Sequence, residues 1–375
     1  MNDISFLVFG NGAIDHHVQA TSIEPTDTGV SITLESGERK FIALDDTPFV
    51  SGKKHTVHNI ERLIERIEGE VQAGGGAYNS ARSLDRIREH AAIKFGIYTV
   101  DVSSPHPAID AMAGQHDIKA YFAGLRSIPN RLVVSGQHEV LNIGGTSLER
   151  ITEVDSQTAR HLDQLPSMVD VKSCLITSAK DEAYVLKVKE IALLSKAALF
   201  FVPTPSLSYA FVKKEMFNRG TVIVSWNDIL ELDGTETDMP DLEKIEHTHK
   251  IMREIMRSQH DKHNIYVTLG PYGALCGFKD DVYHIMLHKD IALDVRGAFE
   301  KRVGSSNAAG DHFAASVMFF ETFVPRLMLD VASVGKMACK HVIGAVGYSR
   351  PINSANFSNQ LVTMDYFKRL AEATK

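Results

Sequence analysis

The sequence predicts an α/β protein: a mostly parallel central sheet between two layers of helices, with a small β-sheet lid. Three observations carry this. Strand-length apolar runs alternate with amphipathic helical stretches through the C-terminal half. Short alternating strands broken by turn signals gather in the first half, outside that alternation. Ser306-Asn307-Ala308-Ala309-Gly310-Asp311 is a tight turn of small residues running directly into a helical pattern of Phe313, Val317, Phe320 and Phe323. A chain of 375 residues has ample length for one large core, so residues 1–375 are read as a single unit. The extra strands, within 16–45 and 96–145, are assigned to the lid.

In chain order, Ile4 to Phe9 is a buried-type strand followed by Gly10-Asn11-Gly12-Ala13-Ile14-Asp15. This is not a dinucleotide fingerprint, because Asp15 replaces the third glycine and no helix follows. A nicotinamide-dependent oxidoreductase is disfavoured on that ground. Instead Val18–Ala20, Gly29–Leu34 and Arg39–Ala43 alternate like hairpin strands, separated by Asp27-Thr28-Gly29 and Ser36-Gly37-Glu38. Asp15 stands at a strand end, where α/β folds place ligand-binding side chains; its plainer role is a turn residue.

A helix then carries Ile60, Leu63, Ile64 and Ile67 on one face. It is expected to end in Gly74-Gly75-Gly76-Ala77-Tyr78-Asn79-Ser80, with a new helix from Ala81 capped by Asn79 or Ser80. Either Asn79 and the bare glycine backbone lie against a polyhydroxylated ligand, or the stretch is a helix–turn–helix joint. Gly96–Val102, Lys119–Phe122, Leu132–Ser135 and Glu139–Ile143 read as further strands, the last two joined at Ser135-Gly136-Gln137-His138.

Beyond Thr146, strands are expected at Cys174–Ser178, Ala198–Val202, Thr221–Ser225, Ile265–Leu269 and Gly273–Phe278. Helices fall near 181–196, 206–219 and 241–260. His247 and His249 are two apart on the last helix and share no face, which argues against a metal there. His16-His17 and His260/His263 have no companion ligands and are read as surface residues. Thr268-Leu269-Gly270-Pro271-Tyr272-Gly273 turns between two strands; it is either a tight hairpin or a flat seat for a nucleotide. The helix at about 330–347 carries small residues (Ala332, Gly335, Ala338, Gly344, Ala345) that allow close packing or leave room for a flat ring.

Composition excludes several classes. A net charge of −7, a pI near 6.2 and the lack of a basic run argue against nucleic-acid binding. No apolar stretch approaches the roughly 18 residues of a membrane span. Cys174, Cys276 and Cys339 lie far apart in apolar settings, as buried thiols of a reducing compartment do. With no basic leader before Ile4, the expected location is the cytoplasm.

The chemistry concentrates at Asp311. Free N–H groups and the helix dipole make a helix N-terminus an anion site, and small residues admit a phosphate. An amide cradle with one carboxylate beside it suits phosphoryl transfer to a hydroxyl. A carboxylate with a pKa near ~3.9 cannot ionise an alcohol beforehand, so Asp311 must take the proton as the bond to phosphorus forms. The plainer reading is an N-cap Asp.

Four stretches in this order resemble the ribokinase-like (phosphofructokinase-B) family of sugar and nucleoside kinases, over most of the chain. Gly10-Asn11-Gly12-Ala13-Ile14-Asp15 is similar to the family's opening strand and substrate-binding Asp, and Gly74-Gly75-x-x-x-Asn79 to its di-glycine substrate motif. Gly270-x-x-Gly273 is similar to its nucleotide-side turn, and Ala308-Ala309-Gly310-Asp311 to its Gly-Ala-Gly-Asp anion hole. The resemblance implies the following assignments. Asp311 is the base and Ala308, Ala309 and Gly310 form the cradle. Asp15, Gly74, Gly75 and Asn79 hold a sugar or nucleoside; Thr268, Gly270, Gly273 and Asn307 hold ATP. It also implies Mg²⁺, a β lid, and a homodimer formed through that lid. The segment from Ala332 to Pro351 resembles, more loosely, that of bacterial inosine–guanosine kinases.

Two departures stand out. Ala308 replaces the first glycine of the anion hole, a change that costs ~1–2 kcal/mol if the position needs a positive φ. The family's Asn-x-x-Glu, connected with Mg²⁺ through water, is shifted: Asn227 and Glu231 are the nearest match, with Asp228 as an alternative. These departures motivate a second hypothesis, a ligand-binding or regulatory protein of the same fold with impaired catalysis.

Overall fold

The computed structural model describes residues 4–373, apart from 11, 47, 50–53, 92, 104, 127, 137–138, 146–170, 180–181, 301–307, 328–329, 346, 349 and 364. The chain opens with β1 (Ile4–Gly10), then builds β2 (Ala13–Thr26), β3 (Gly29–Leu34), β4 (Arg39–Ala43), β5 (Lys54–Val57), α1 (Ile60–Arg66) and β6 (Glu70–Gly74). Next come α2 (Gly76–Ala91), β7 (Phe95–Ser103), α3 (Pro107–Gln115), β8 (Lys119–Arg126), β9 (Asn130–Ser135) and β10 (Val140–Gly145). The middle holds β11 (Ser173–Ala179), α4 (Glu182–Leu194), β12 (Ala198–Pro203) and α5 (Tyr209–Val212), which runs on as a π-helical turn at Lys213–Phe217. It continues with β13 (Thr221–Ser225), α6 (Trp226–Asp233) and α7 (Asp241–Ser258). Last are β14 (Ile265–Thr268), β15 (Ala274–Phe278), β16 (Asp281–Leu287), α8 (Lys289–Glu300), α9 (Ala309–Leu327), α10 (Val331–Ala345), β17 (Phe357–Leu361) and α11 (Tyr366–Ala373).

Ten strands form the main sheet in the order β17-β16-β15-β14-β13-β12-β11-β1-β7-β8. From β8 to β14 all pairs are parallel, and the last three strands are antiparallel. Its central strands, β1 and β11 to β14, are largely buried on both faces, as a parallel sheet covered by crossover helices requires. Along β1, Leu7 and Phe9 pack with α4, α5 and α7 in one core, while Phe6 and Val8 pack with α2, α3 and α9 in the other. This is the expected three-layer α/β architecture. Because β1 lies between β11 and β7, the chain crosses over in both directions from it, and its C-terminal end is the switch point where such sheets bind ligands.

The lid is a separate sheet, β4-β3-β2-β9-β10-β5, with β6 added along β2. It has its own core, in which Val18, Ile32, Leu132 and Ile143 pack beneath Ile60 of α1. Its membership corrects the assignment of 96–145. Only β9 and β10 from that span join the lid, whereas β7 and β8 are the far edge of the main sheet. The reason is α3, capped by His106 and buried through Ile109, Met112 and Ala113; it supplies the crossover that two adjacent parallel strands need.

Two further boundaries differ. The glycine run follows strand β6, not a helix, because Glu70–Gly74 pairs with β2 at the root of the lid. And α2 begins at Gly76, which places Asn79 and Ser80 within the helix and not at a cap.

Candidate active site

The switch point brings together residues from both ends of the chain. Asp15 is the third residue of β2 and lies in register with Gln72 of β6 and Arg131 of β9. It is 3% exposed, and its carboxylate is held by a two-pronged contact: Arg131 Nε donates to Oδ1 at 2.7 Å and Nη2 to Oδ2 at 2.8 Å. Such fork-to-fork pairs fix both partners in one geometry. The glycine turn explains itself against this carboxylate. A Cβ on Gly74 would sit 1.9 Å from Asp15 Oδ2, and Gly75 takes φ +88° to swing the chain into α2.

From α2, the buried Asn79 reaches across to α9, where its Nδ2 donates to Asp311 Oδ2 at 2.9 Å. Its Oδ1 accepts from Arg82, three residues further on the same helix face. Asp311 is itself the third residue of α9, not its N-cap; Ala308 precedes the helix, and its carbonyl accepts from His312 N at 3.0 Å. Burial pushes the Asp311 carboxyl above its ordinary value of 3.8, and neighbouring Asp15 adds to that rise. The Asn79 hydrogen bond and the positive charges of Arg131 and Arg82 oppose it. The N–H groups of Ala309, Gly310 and Asp311 belong to the first turn, where no helical carbonyl can accept from them.

Ala308 adopts φ +63°, the left-handed conformation that glycine takes without strain. The strain of ~1–2 kcal/mol is partly offset by alanine's smaller entropy loss on folding, about 0.4–1 kcal/mol. Ala308→Gly is therefore expected to stabilise the protein by about 0.5–1 kcal/mol in chemical unfolding. A destabilised variant would show that the left-handed turn is not strained.

On the other side of the turn lies a cleft of about 460 Å³, lined by Thr268, Gly270, Gly273, Ala309 and Gly310 together with apolar residues such as Val342 and Ile343 of α10. The Gly270–Gly273 turn and the small-residue turn thus open onto one space. Its volume falls within the roughly 300–1,000 Å³ of small-molecule sites, and amides at one end with an apolar wall at the other suit a phosphorylated ligand with a flat ring. Gly273, at φ +90°, lies against strand β16, where a Cβ would meet Ile285 O at 2.0 Å. Gly335, by contrast, serves packing, since a Cβ there would meet Cys276 Sγ at 2.3 Å.

Asn227 and Glu231 are exposed, four residues apart on one face of α6. The N-cap of that helix, Ser225, is in register with Thr268 of the cleft. Asp228 is turned back on Ser225, which donates to its Oδ2 at 2.7 Å; burial raises its pKa. Among the described residues no cluster of three or more His, Cys, Asp or Glu could hold a metal ion. A divalent ion here fits only as one carried mainly by phosphate oxygens and water, the ordinary manner of Mg²⁺. Asn307 lies outside the described residues, as does Asn11.

Sequence reasoning missed Arg131 and Arg82. A register between strands 116 residues apart leaves no local signal for Arg131. Arg82 was detectable in principle, because it follows Asn79 at helical spacing once the helix is known to start at Gly76.

No protein-family model matches this chain, and no curated protein sequence matches it. Solved structures do match. Ribokinase from Giardia lamblia superimposes with a TM-score of 0.61 over 100% of both chains at 11% identity. The tetrameric inhibited form of phosphofructokinase-2 from Escherichia coli gives 0.60 at 12% identity, covering 92% of this chain and 94% of that one. Ribokinase from Arabidopsis thaliana, solved with ribose and ATP, gives 0.57 at 10% identity, with 98% of each chain covered. The chain has the ribokinase-like fold, and no helix among the described residues is long and apolar enough to cross a membrane.

Proposed function

We propose that this protein is a kinase that transfers the γ-phosphoryl group of ATP to a hydroxyl of a sugar or nucleoside, with Asp311 as general base. The observation that carries the reading is the Asn79–Asp311 hydrogen bond of 2.9 Å. It joins the acceptor-side turn to a carboxylate at a helix N-terminus that also borders the 460 Å³ cleft. In this reading Asp15, Gly74, Gly75 and Asn79 position the acceptor. Thr268, Gly270, Gly273 and Asn307 seat the nucleotide, and the turn amides at 308–310 stabilise the charge that develops on the transferred group. Mg²⁺, when bound, neutralises phosphate charge, with Asn227 and Glu231 holding its water shell. Asp311 receives the hydroxyl proton as the new O–P bond forms.

Coupled measurement of ADP release over a panel of sugars and nucleosides tests this; no acceptor-dependent release with any of them overturns it. The pH dependence is a second check. Asp311 works unprotonated and its pKa is raised, so kcat/KM is expected to fall with acidification on a limb centred above 3.8. A limb at or below that value removes the burial argument. The alternative, an impaired binding protein, draws on the strained Ala308. It is disfavoured because a site without chemistry has no use for a buried carboxylate whose burial is costly.

A further inference from the structure

The turn at Gly270–Tyr272 borders the cleft, yet its own sequence does little to fix its shape. Gly270 and Gly273 flank it at φ +58° and +90°, conformations that glycine adopts without strain and leaves as easily. Its internal hydrogen bonds use the carbonyls of Leu269, Gly270 and Gly273. Three contacts from outside converge on Tyr272. Its hydroxyl donates to Asp241 Oδ2 at 2.8 Å at the start of α7, and its ring lies 6.0 Å from that of Trp226 at the start of α6. Its carbonyl accepts from His284 Nε2 at 2.8 Å.

His284 stands on β16 and is 1% exposed. A carbonyl only accepts, so Nε2 bears the proton and Nδ1 is the bare nitrogen of a neutral ring. The Tyr366 hydroxyl donates to that Nδ1, and the two rings meet edge to face with centroids 5.8 Å apart. Burial lowers the His284 pKa to about 4, which keeps the ring neutral at physiological pH. Tyr366, also buried, is the first residue of α11, and its neighbour Phe367 packs on His249 of α7. One relay of hydrogen bonds therefore runs from the C-terminal helix, through β16, to the backbone of the turn.

Resting on the kinase reading above, we propose that His284 and Tyr366 are positioning residues for the phosphoryl donor. They hold the Gly270–Tyr272 turn where its backbone meets the nucleotide, and so make α11 part of the donor site. Neither ring is among the described residues that line the cleft, so their action passes through the Tyr272 carbonyl. The residues assigned to the acceptor come from the first strands and helices of the chain and lie outside this relay. A relay that only steadied the fold would lower Tm and leave ATP affinity as it is.

The test uses the full chain, as wild type, His284→Phe, His284→Gln and Tyr366→Phe. Phe at 284 keeps an aromatic ring and removes both nitrogens, whereas Gln supplies an N–H for the carbonyl and an oxygen for the Tyr366 hydroxyl. Affinity for ATP with Mg²⁺ is measured without acceptor, by calorimetry and by the emission of Trp226, the chain's one tryptophan, which lies beside the turn. ADP release with the best acceptor of the sugar and nucleoside panel gives KM for each substrate. In His284→Phe, ATP affinity is expected to fall and its KM to rise by about three- to tenfold, with the acceptor KM within about twofold. Tyr366→Phe is expected to move the same two readings in the same direction by less, and His284→Gln to recover most of the loss. Unchanged ATP affinity in both His284→Phe and Tyr366→Phe overturns the proposal, whatever happens to Tm. So does an equal rise in both KM values. If His284→Phe does not fold, Tyr366→Phe decides alone, since it removes a single hydroxyl. Weakened ATP binding in the variants, with no ADP released by the wild type, means that the kinase reading fails and the donor-site relay stands. ADP release with an ATP KM that neither variant moves means that the kinase reading stands and the relay fails. A wild type that binds no ATP overturns both.

Discussion

Asp311→Asn is expected to lower turnover by about 10²–10⁴-fold while nucleotide affinity stays within a few-fold. The asymmetry follows from the construction of the site. The cleft assigned to the nucleotide in the proposed reaction is lined by Thr268, by glycines and by mostly apolar side chains, and Asp311 is not among them. An amide at 311 can still accept from Asn79, so the geometry of the α2–α9 contact survives. What disappears is a group able to take a proton. Because burial penalises the carboxylate in the folded protein, the variant is expected to be no less stable than wild type at neutral pH. The sign is that of a raised pKa: the folded state holds the proton more tightly than the unfolded one, so stability falls as pH rises through the folded value. Removing the ionisable group removes that loss. Turnover near the wild-type rate would take Asp311 out of the mechanism.

Asp15→Ala is expected to act on the acceptor instead, lowering kcat/KM for it by about one to three powers of ten. Two effects add. The carboxylate's remaining lone pairs no longer accept hydroxyl donors, each charge-assisted bond contributing on the order of 1.5–3 kcal/mol. Arg131 also loses the fork that orients it, and a partly buried guanidinium is left unpaired. ATP affinity should be nearly unchanged, since the residues assigned to the nucleotide lie at the end of β14, in the turn after it and just before α9. A residue serving only the lid's fold would show a lower Tm with both ligands bound normally, and that outcome would end the substrate-binding role. Comparison with Asp15→Asn, which keeps one acceptor oxygen, separates the lost hydrogen bonds from the lost charge.

Much of this was legible in the residues because small side chains and turns leave local marks. Gly74-Gly75 and Ala308-Ala309-Gly310-Asp311 could be singled out as places where backbone comes close to something, and the structure gathers both around one switch point. The strength of the strand pattern at β11 to β14 likewise came from apolar runs buried on both faces. What local marks do not carry is which sheet a strand joins. β7 and β8 have the same short, mixed pattern as the lid strands, and only the modest helix α3 between them sends them to the main sheet. The same limit hid Arg131, whose role depends on a neighbour across the lid, and misplaced Asn79, whose helix starts earlier than its capping chemistry suggests. The residue at position 308 was informative in a different way. The substitution at Ala308 posed a question about φ that only coordinates answer, and the answer is a left-handed alanine.

The hydrogen bond between Asn79 and Asp311 spans 232 positions of sequence. The length-dependent entropy of closing a loop that large is about 5 kcal/mol, a cost borne by the whole intervening sheet and not by the contact itself. During synthesis Asn79 emerges from the ribosome 232 residues before Asp311. At roughly 5–20 residues per second, Asn79 waits about ten seconds or more for the helix that carries Asp311. A nascent chain can therefore shape much of its lid early, but the proposed site is incomplete until Asp311 has been made.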